Sequence, residues 1–97
     1  MDFVKTIGRL YFDKGDHKNL VKKMGAYFLE HMRTQYKLST HAIDDDFILA
    51  VHHKTTYPLE ETRSIVRFIQ FAETAPAISE GQLSEFHKQL ELFYQNT

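Results

Sequence analysis

The chain has 97 residues, no cysteine and a formal net charge of −1. That length makes one domain, the near-neutral charge argues against a general polyanion binder, and the missing thiols remove disulfides, thiolate nucleophiles and thiolate metal sites together. Hydrophobic residues make up 42%, with eight Phe and five Tyr, enough for a real core.

The absence of cysteine fits a reducing compartment. No apolar run approaches the roughly 20 residues needed to span a bilayer. Met1-Asp2-Phe3-Val4-Lys5 lacks the form of a signal peptide. The charge is unevenly spread: residues 1–43 are net basic and residues 44–97 net acidic. Either the halves attract each other within one domain, or the basic side meets a charged partner or a membrane.

Five helices and no strand are expected. The first runs from about Phe3 to Phe12, with Phe3, Ile7, Leu10 and Tyr11 on one stripe. Asp13-Lys14-Gly15 ends it, Gly15 suiting the left-handed closing position. Asp16 caps the second and longest helix, which reaches to about Tyr36 or Lys37. Its stripe is Leu20, Met24, Tyr27, Phe28 and His31, extending to Gln35. Gly25 sits inside it at a cost of about 1 kcal/mol relative to Ala; a close helix crossing or simple tolerance would explain it.

Leu38 to Ile43 is a connector. Asp44 caps a short third helix, about Asp45 to Lys54, whose dipole Asp45 and Asp46 favour. Phe47, Ile48 and Val51 supply its core side. Thr55-Thr56-Tyr57 is a tight turn, and Pro58 takes the first position of the fourth helix, with Glu60 and Glu61 in the first turn. Thr62, Ile65, Val66, Ile69 and Ala72 form its inner stripe, broadened by Phe68 and Phe71. So wide a face predicts a central helix with neighbours on more than one side. Ala75-Pro76-Ala77 ends it.

Ser79 and Gln82 are placed for a reciprocal capping box at the start of the fifth helix, with Ile78 and Leu83 as a hydrophobic staple. Leu83, Phe86, Leu90 and Phe93 follow on one stripe. The loops are short, so successive helices should be neighbours. The expected fold is all-α: one compact five-helix orthogonal or bundle-like domain over residues 1–97.

No pattern of catalytic residues stands out. None of the six histidines forms an i, i+4 pair, and His-Glu-x-x-His is absent. His52 and His53 are adjacent and point about 100° apart on a helix, poor geometry for a shared metal. His31 and His87 lie on or beside apolar stripes and read as core-edge residues with one hydrogen bond. Asp44-Asp45-Asp46 lacks the spaced oxygens, turning Gly and closing Glu of a calcium loop, and helix capping accounts for it. There is no Gly-x-Ser-x-Gly elbow and no phosphate-binding Gly-rich loop. Neither an enzyme nor a cofactor is expected.

The third and fourth helices have helix-turn-helix shape. A DNA reader would aim the start of its second helix into the major groove. Here that start carries Glu60 and Glu61, and the first helix begins with three Asp, all repelling phosphates. Arg63 and Arg67 are the compensation. The most basic surface is elsewhere: Lys14, Lys18, Lys22 and Lys23, with Arg9 nearby. Lys18 and Lys22 are i, i+4 neighbours. This is either a solvated helix face or a contact with anionic lipid headgroups or an acidic partner.

The stretch Phe3-Val4-Lys5-Thr6-Ile7-Gly8-Arg9-Leu10-Tyr11-Phe12, then Gly15-Asp16-His17-Lys18-Asn19-Leu20 and Tyr27-Phe28-Leu29-Glu30, resembles the C-terminal region of an uncharacterised Bacteroidetes membrane-protein family. The similarity continues through Asp46-Phe47-Ile48 and Pro58-Leu59-Glu60-Glu61 to Leu90, Phe93 and Tyr94. Gly15-Asp16-His17 is its most specific part. The resemblance implies a large domain of unknown function, a transmembrane helix and then a small helical cytoplasmic tail, with genes often near those of MoxR-type AAA+ ATPases. It carries no catalytic residues over to this chain. It implies that the chain is the excised tail of a longer membrane-anchored protein, tethered to the inner membrane with its basic half beside the cytoplasmic face. The positive-inside tendency agrees.

Together these readings predict a non-enzymatic helical protein-interaction or regulatory module, with Arg9, Lys14, Lys18, Lys22 and Lys23 as its interaction face. Its expected partners are a protein, a MoxR-type AAA+ ATPase among the candidates, and an anionic membrane surface. The alternative is a helix-turn-helix nucleic-acid-binding regulator.

Overall fold

A computed structural model of the chain describes residues 17–97. Among the described residues there are four helices and no strand: α1 (His17–Tyr36), α2 (Asp45–Thr55), α3 (Leu59–Thr74) and α4 (Glu80–Asn96). The all-α class holds. The expected helix from Phe3 to Phe12, its stop at Gly15 and the cap at Asp16 lie outside the described residues.

α3 is the central element, packed against α1, α2 and α4; α1 also meets α4. Its inner stripe is the expected one, with Thr62, Ile65, Val66, Ile69 and Ala72 all buried. Thr62 is tolerated there because its hydroxyl donates to the Pro58 carbonyl at 3.0 Å, satisfying the buried oxygen inside the helix.

α1 buries a stripe turned slightly from the expected one. Leu20, Val21, Met24, Gly25, Phe28 and Met32 are buried, Tyr27 and His31 are half-buried, and Gln35 is exposed. Gly25 marks a close crossing: a Cβ built there would lie 3.3 Å from Ile69 Cγ1 on α3. The contact with α3 is thus centred between the Leu20–Met24–Phe28 and Val21–Gly25–Met32 rows. That rotation moves Gln35 out to solvent.

Asp44 caps α2 as expected, accepting from the Phe47 N–H at 3.1 Å. The helix runs one residue beyond Lys54. Thr55 is buried, donating its hydroxyl to the Val51 carbonyl at 2.8 Å and accepting from the Tyr57 N–H at 3.2 Å. Thr56 then adopts φ 60°, a left-handed closing conformation.

Pro58 does not open α3 as its first helical residue. It is the residue before it, with ψ 138°, and Leu59 begins the helix. The Pro58 carbonyl accepts the first intrahelical bond, from the Thr62 N–H at 3.0 Å. A capping residue needs such an extended ψ, which proline's fixed φ does not prevent.

The α4 capping box is present in full. The Gln82 N–H donates to Ser79 Oγ at 3.1 Å, and the Ser79 N–H donates to Gln82 Oε1 at 2.8 Å. Ile78, Leu83, Phe86, Leu90 and Phe93 are buried in the common core. Phe93 sits at its centre, 5.2 Å from the Phe28 ring and 5.0 Å from Tyr57, which ties the α2–α3 turn to α4.

Candidate functional site

Of the five basic residues expected to form one face, Arg9 and Lys14 lie outside the described residues. Lys18 is half-buried, and its Nζ donates to the Ala75 carbonyl at 2.6 Å. Ala75 is the closing residue of α3, so this ammonium sits at the negative end of that helix. Lys22 and Lys23 are exposed.

α2 and α3, the pair expected to have helix-turn-helix shape, are joined by three residues and pack on each other. Both arginines on α3 are already engaged. Arg63 pairs with Glu60, and Arg67 donates to Asp45 Oδ1 at 2.8 Å across to α2. Glu60, Glu61 and Asp46 stay exposed. The cations that would have to meet a phosphate backbone are thus matched by carboxylates.

The histidines are dispersed. His52 Nδ1 lies 2.6 Å from the Tyr57 carbonyl. A carbonyl can only accept, so the imidazole proton is on Nδ1 and this ring pins the turn. His31 is packed against tyrosines, with ring centroids 6.3 Å from Tyr27, 6.1 Å from Tyr36 and 5.4 Å from Tyr94. Its partners are rings, not the single hydrogen bond expected, and burial lowers its pKa. Tyr94 contributes a hydroxyl that is buried with no hydrogen-bond partner among the described residues. Burial and the neighbouring Tyr27 push its pKa well up. Beside this cluster lies an open hollow of about 380 Å³ lined by His31, Gln35, Tyr36, Tyr94 and Thr97. Among the described residues, no three His, Asp or Glu side chains converge to hold a metal ion.

A second concavity among the described residues is a groove of about 650 Å³ between α3 and α4. Phe68 and Phe86 form its floor, their rings 4.8 Å apart, and Phe71 stands beside Phe68 at 5.7 Å. Phe71 is 46% exposed, unusual for so large an apolar side chain. At one end Gln89 Nε2 donates to Ser64 Oγ at 3.2 Å, bridging the two helices. At the other end Ser79 and Gly81 leave the groove open. Arg67 and Glu85 stand on opposite rims.

A family model of the DUF4350 C-terminal helical domain matches residues 4–97. The chain belongs to this family. No curated protein matches it, and no solved structure does.

The DUF4350 C-terminal helical domain match spans α1 to α4, so the groove and the exposed lysines fall within it. No helix among the described residues is long and apolar enough to cross a membrane. The sequence pattern puts Phe68 and Phe71 on the widened inner face of the fourth helix and Tyr36 at the end of the second. The structure separates them: Tyr36 packs with His31, while Phe68 and Phe71 make the groove. Sequence reasoning missed the Lys18 bond, which spans 57 positions of sequence.

Proposed function

We propose that this DUF4350 C-terminal helical domain is a non-enzymatic protein-interaction and regulatory module working at the cytoplasmic face of a membrane. In this reading the domain is the tail of a larger membrane-anchored protein. The observation that carries the interaction reading is the α3–α4 groove, where Phe71 is exposed beside Phe68. Exposed large apolar side chains clustered in a concavity mark a docking surface.

Lys22 and Lys23, with Arg9 and Lys14, meet anionic lipid headgroups or an acidic partner in this account. Lys18 supports them indirectly by closing α3. The acidic second half, with Asp44, Asp46 and Glu61 exposed, is left for a protein partner. The sequence resemblance nominates a MoxR-type AAA+ ATPase.

The test is an affinity pull-down from source-cell lysate, with and without nuclease, using the wild-type chain and Phe71→Ser. A nuclease-resistant protein partner, an AAA+ ATPase above all, that is weakened by Phe71→Ser supports the module. Capture that vanishes with nuclease, together with salt-dependent binding to duplex DNA, replaces it with the helix-turn-helix regulator.

A further inference from the structure

We propose that the outer face of α4 pairs with the same face of a second copy of this chain, antiparallel about a two-fold axis. This rests on the interaction-module reading and deepens it by naming what covers the Phe71 end of the groove.

Gly81, Glu85, Lys88 and Leu92 are spaced i, i+4, i+7 and i+11, so they form one stripe along α4. All four are exposed, Leu92 at 43%. The stripe therefore faces away from the core that Leu83, Phe86, Leu90 and Phe93 build. Read along the helix its chemistry is small, acidic, basic, large. Reversed, it is its own complement: Gly81 opposes the partner's Leu92, and Glu85 opposes the partner's Lys88. A two-fold axis repeats both pairs, which is the self-complementarity a closed dimer requires.

Three features favour this occupant. Neither Glu85 nor Lys88 belongs to an ion pair among the described residues, whereas Glu60, Arg63, Arg67 and Asp45 do. The notch at Gly81 is open: a Cβ there would meet nothing nearer than Ser79 Oγ at 3.9 Å. And Gly81 shares the groove with Phe71, so a leucine laid over the notch lands against the exposed phenyl ring. The two largest apolar side chains left on α3 and α4, Phe71 and Leu92, then cover each other across the interface. A parallel pairing would instead set Glu85 against its own copy and Lys88 against its own copy, which repel.

The chain has no cysteine, so engineered thiols report register without background. In the antiparallel pairing, Gly81→Cys chains mixed with Leu92→Cys chains crosslink to each other on mild oxidation. Either variant alone does not, because like positions lie about 16 Å apart along the axis. Sedimentation velocity from micromolar to millimolar protein gives the affinity. Glu85→Lys alone and Lys88→Glu alone each weaken dimerisation about tenfold, and combining them restores it. A chain that stays monomeric throughout, crosslinks between like positions, or a double variant no better than the singles would overturn the proposal. If the monomeric chain still captures a protein from lysate through Phe71, the interaction module stands and the dimer alone falls.

Discussion

Alanine at position 25 is pulled in two directions. Replacing Gly25 recovers the roughly 1 kcal/mol that a glycine costs in mid-helix. The new Cβ would lie 3.3 Å from Ile69 Cγ1 and 3.4 Å from Cγ2, inside the optimum of about 3.5–4.0 Å for carbon atoms. Ile69 is only 6% exposed and sits on a helix packed on three sides, so it has little room to yield. Overpacking of this kind costs about 1–3 kcal/mol. The net expectation for Gly25→Ala is a loss of up to about 2 kcal/mol. Ile69→Ala, which costs about 2–5 kcal/mol by itself, removes the three carbons nearest the new methyl. In that background the same Gly25→Ala change should stabilise by about 1 kcal/mol. The coupling is therefore about 1–3 kcal/mol, well above the scatter of additive pairs. Urea denaturation of the four proteins measures it; thermally, 1 kcal/mol corresponds to about 4–8 °C in Tm for a domain of this size. If Gly25→Ala has the same effect in both backgrounds, the close crossing of α1 and α3 is refuted.

Three further outcomes are expected. Lys18→Met should cost about 1–2 kcal/mol by removing a charged donor from the end of α3, while Lys22→Met and Lys23→Met stay within about 0.5 kcal/mol; binding to anionic vesicles should show the reverse sensitivity, with Lys22 and Lys23 dominant. Thr56 is a β-branched residue at φ 60°, so Thr56→Gly should stabilise by about 0.5–1 kcal/mol once the flexibility of glycine in the unfolded chain is set against the relieved strain, read as a rise in Tm. Burial holds the His31 pKa below its ordinary 6.5, so the unfolded chain takes up that proton first. This contribution to stability is complete above about pH 6.5 and is lost as pH falls through the lowered value. Tyr94 is the mirror case, raised above its ordinary 10.0, with its contribution complete below that pH and lost as pH rises through the raised value. Denaturation midpoints against pH should therefore flatten on the acid side in His31→Gln and on the alkaline side in Tyr94→Phe. Tyr94→Phe should also cost nothing at pH 7, because it removes a buried hydroxyl with no partner among the described residues.

What could be read from the sequence follows the range of the interactions. The α4 capping box, the Asp44 cap and the inner stripe of α3 depend on neighbours within a turn or two, and each is found where the spacing put it. The α1 stripe was readable in kind but not in phase. Leu20 and Val21, or Phe28 and Met32, are equally good apolar choices until the position of α3 against Gly25 is known. Pro58 slipped by one position because its fixed φ suits both the capping residue and the first helical residue, and only ψ separates them. The site is less legible. Phe68 and Phe71 looked like an extension of the inner stripe. Nothing local says that α4, beginning with the small residues Ser79 and Gly81, leaves their rings uncovered. Lys18 looked like a partner of Lys22 because both lie on α1, whereas its carbonyl acceptor comes from the far end of α3.

The packing order of the helices also bears on how the domain opens. Among the described residues α2 has one principal neighbour, α3, and is held to it by Phe47, Ile48 and Val51, by the Asp45–Arg67 pair and by Gln70, whose amide donates to the Ile43 carbonyl at 2.6 Å. α3 cannot leave without exposing three interfaces, but α2 can detach at the cost of one. Native-state hydrogen exchange should then divide the backbone amides into two sets: those of α3 exchanging only when the whole domain unfolds, and those of α2 through a smaller opening of their own. The α2–α3 pair is a shape shared by two segments of unequal permanence, with a hinge at Thr56, where the backbone already holds a conformation its residue disfavours.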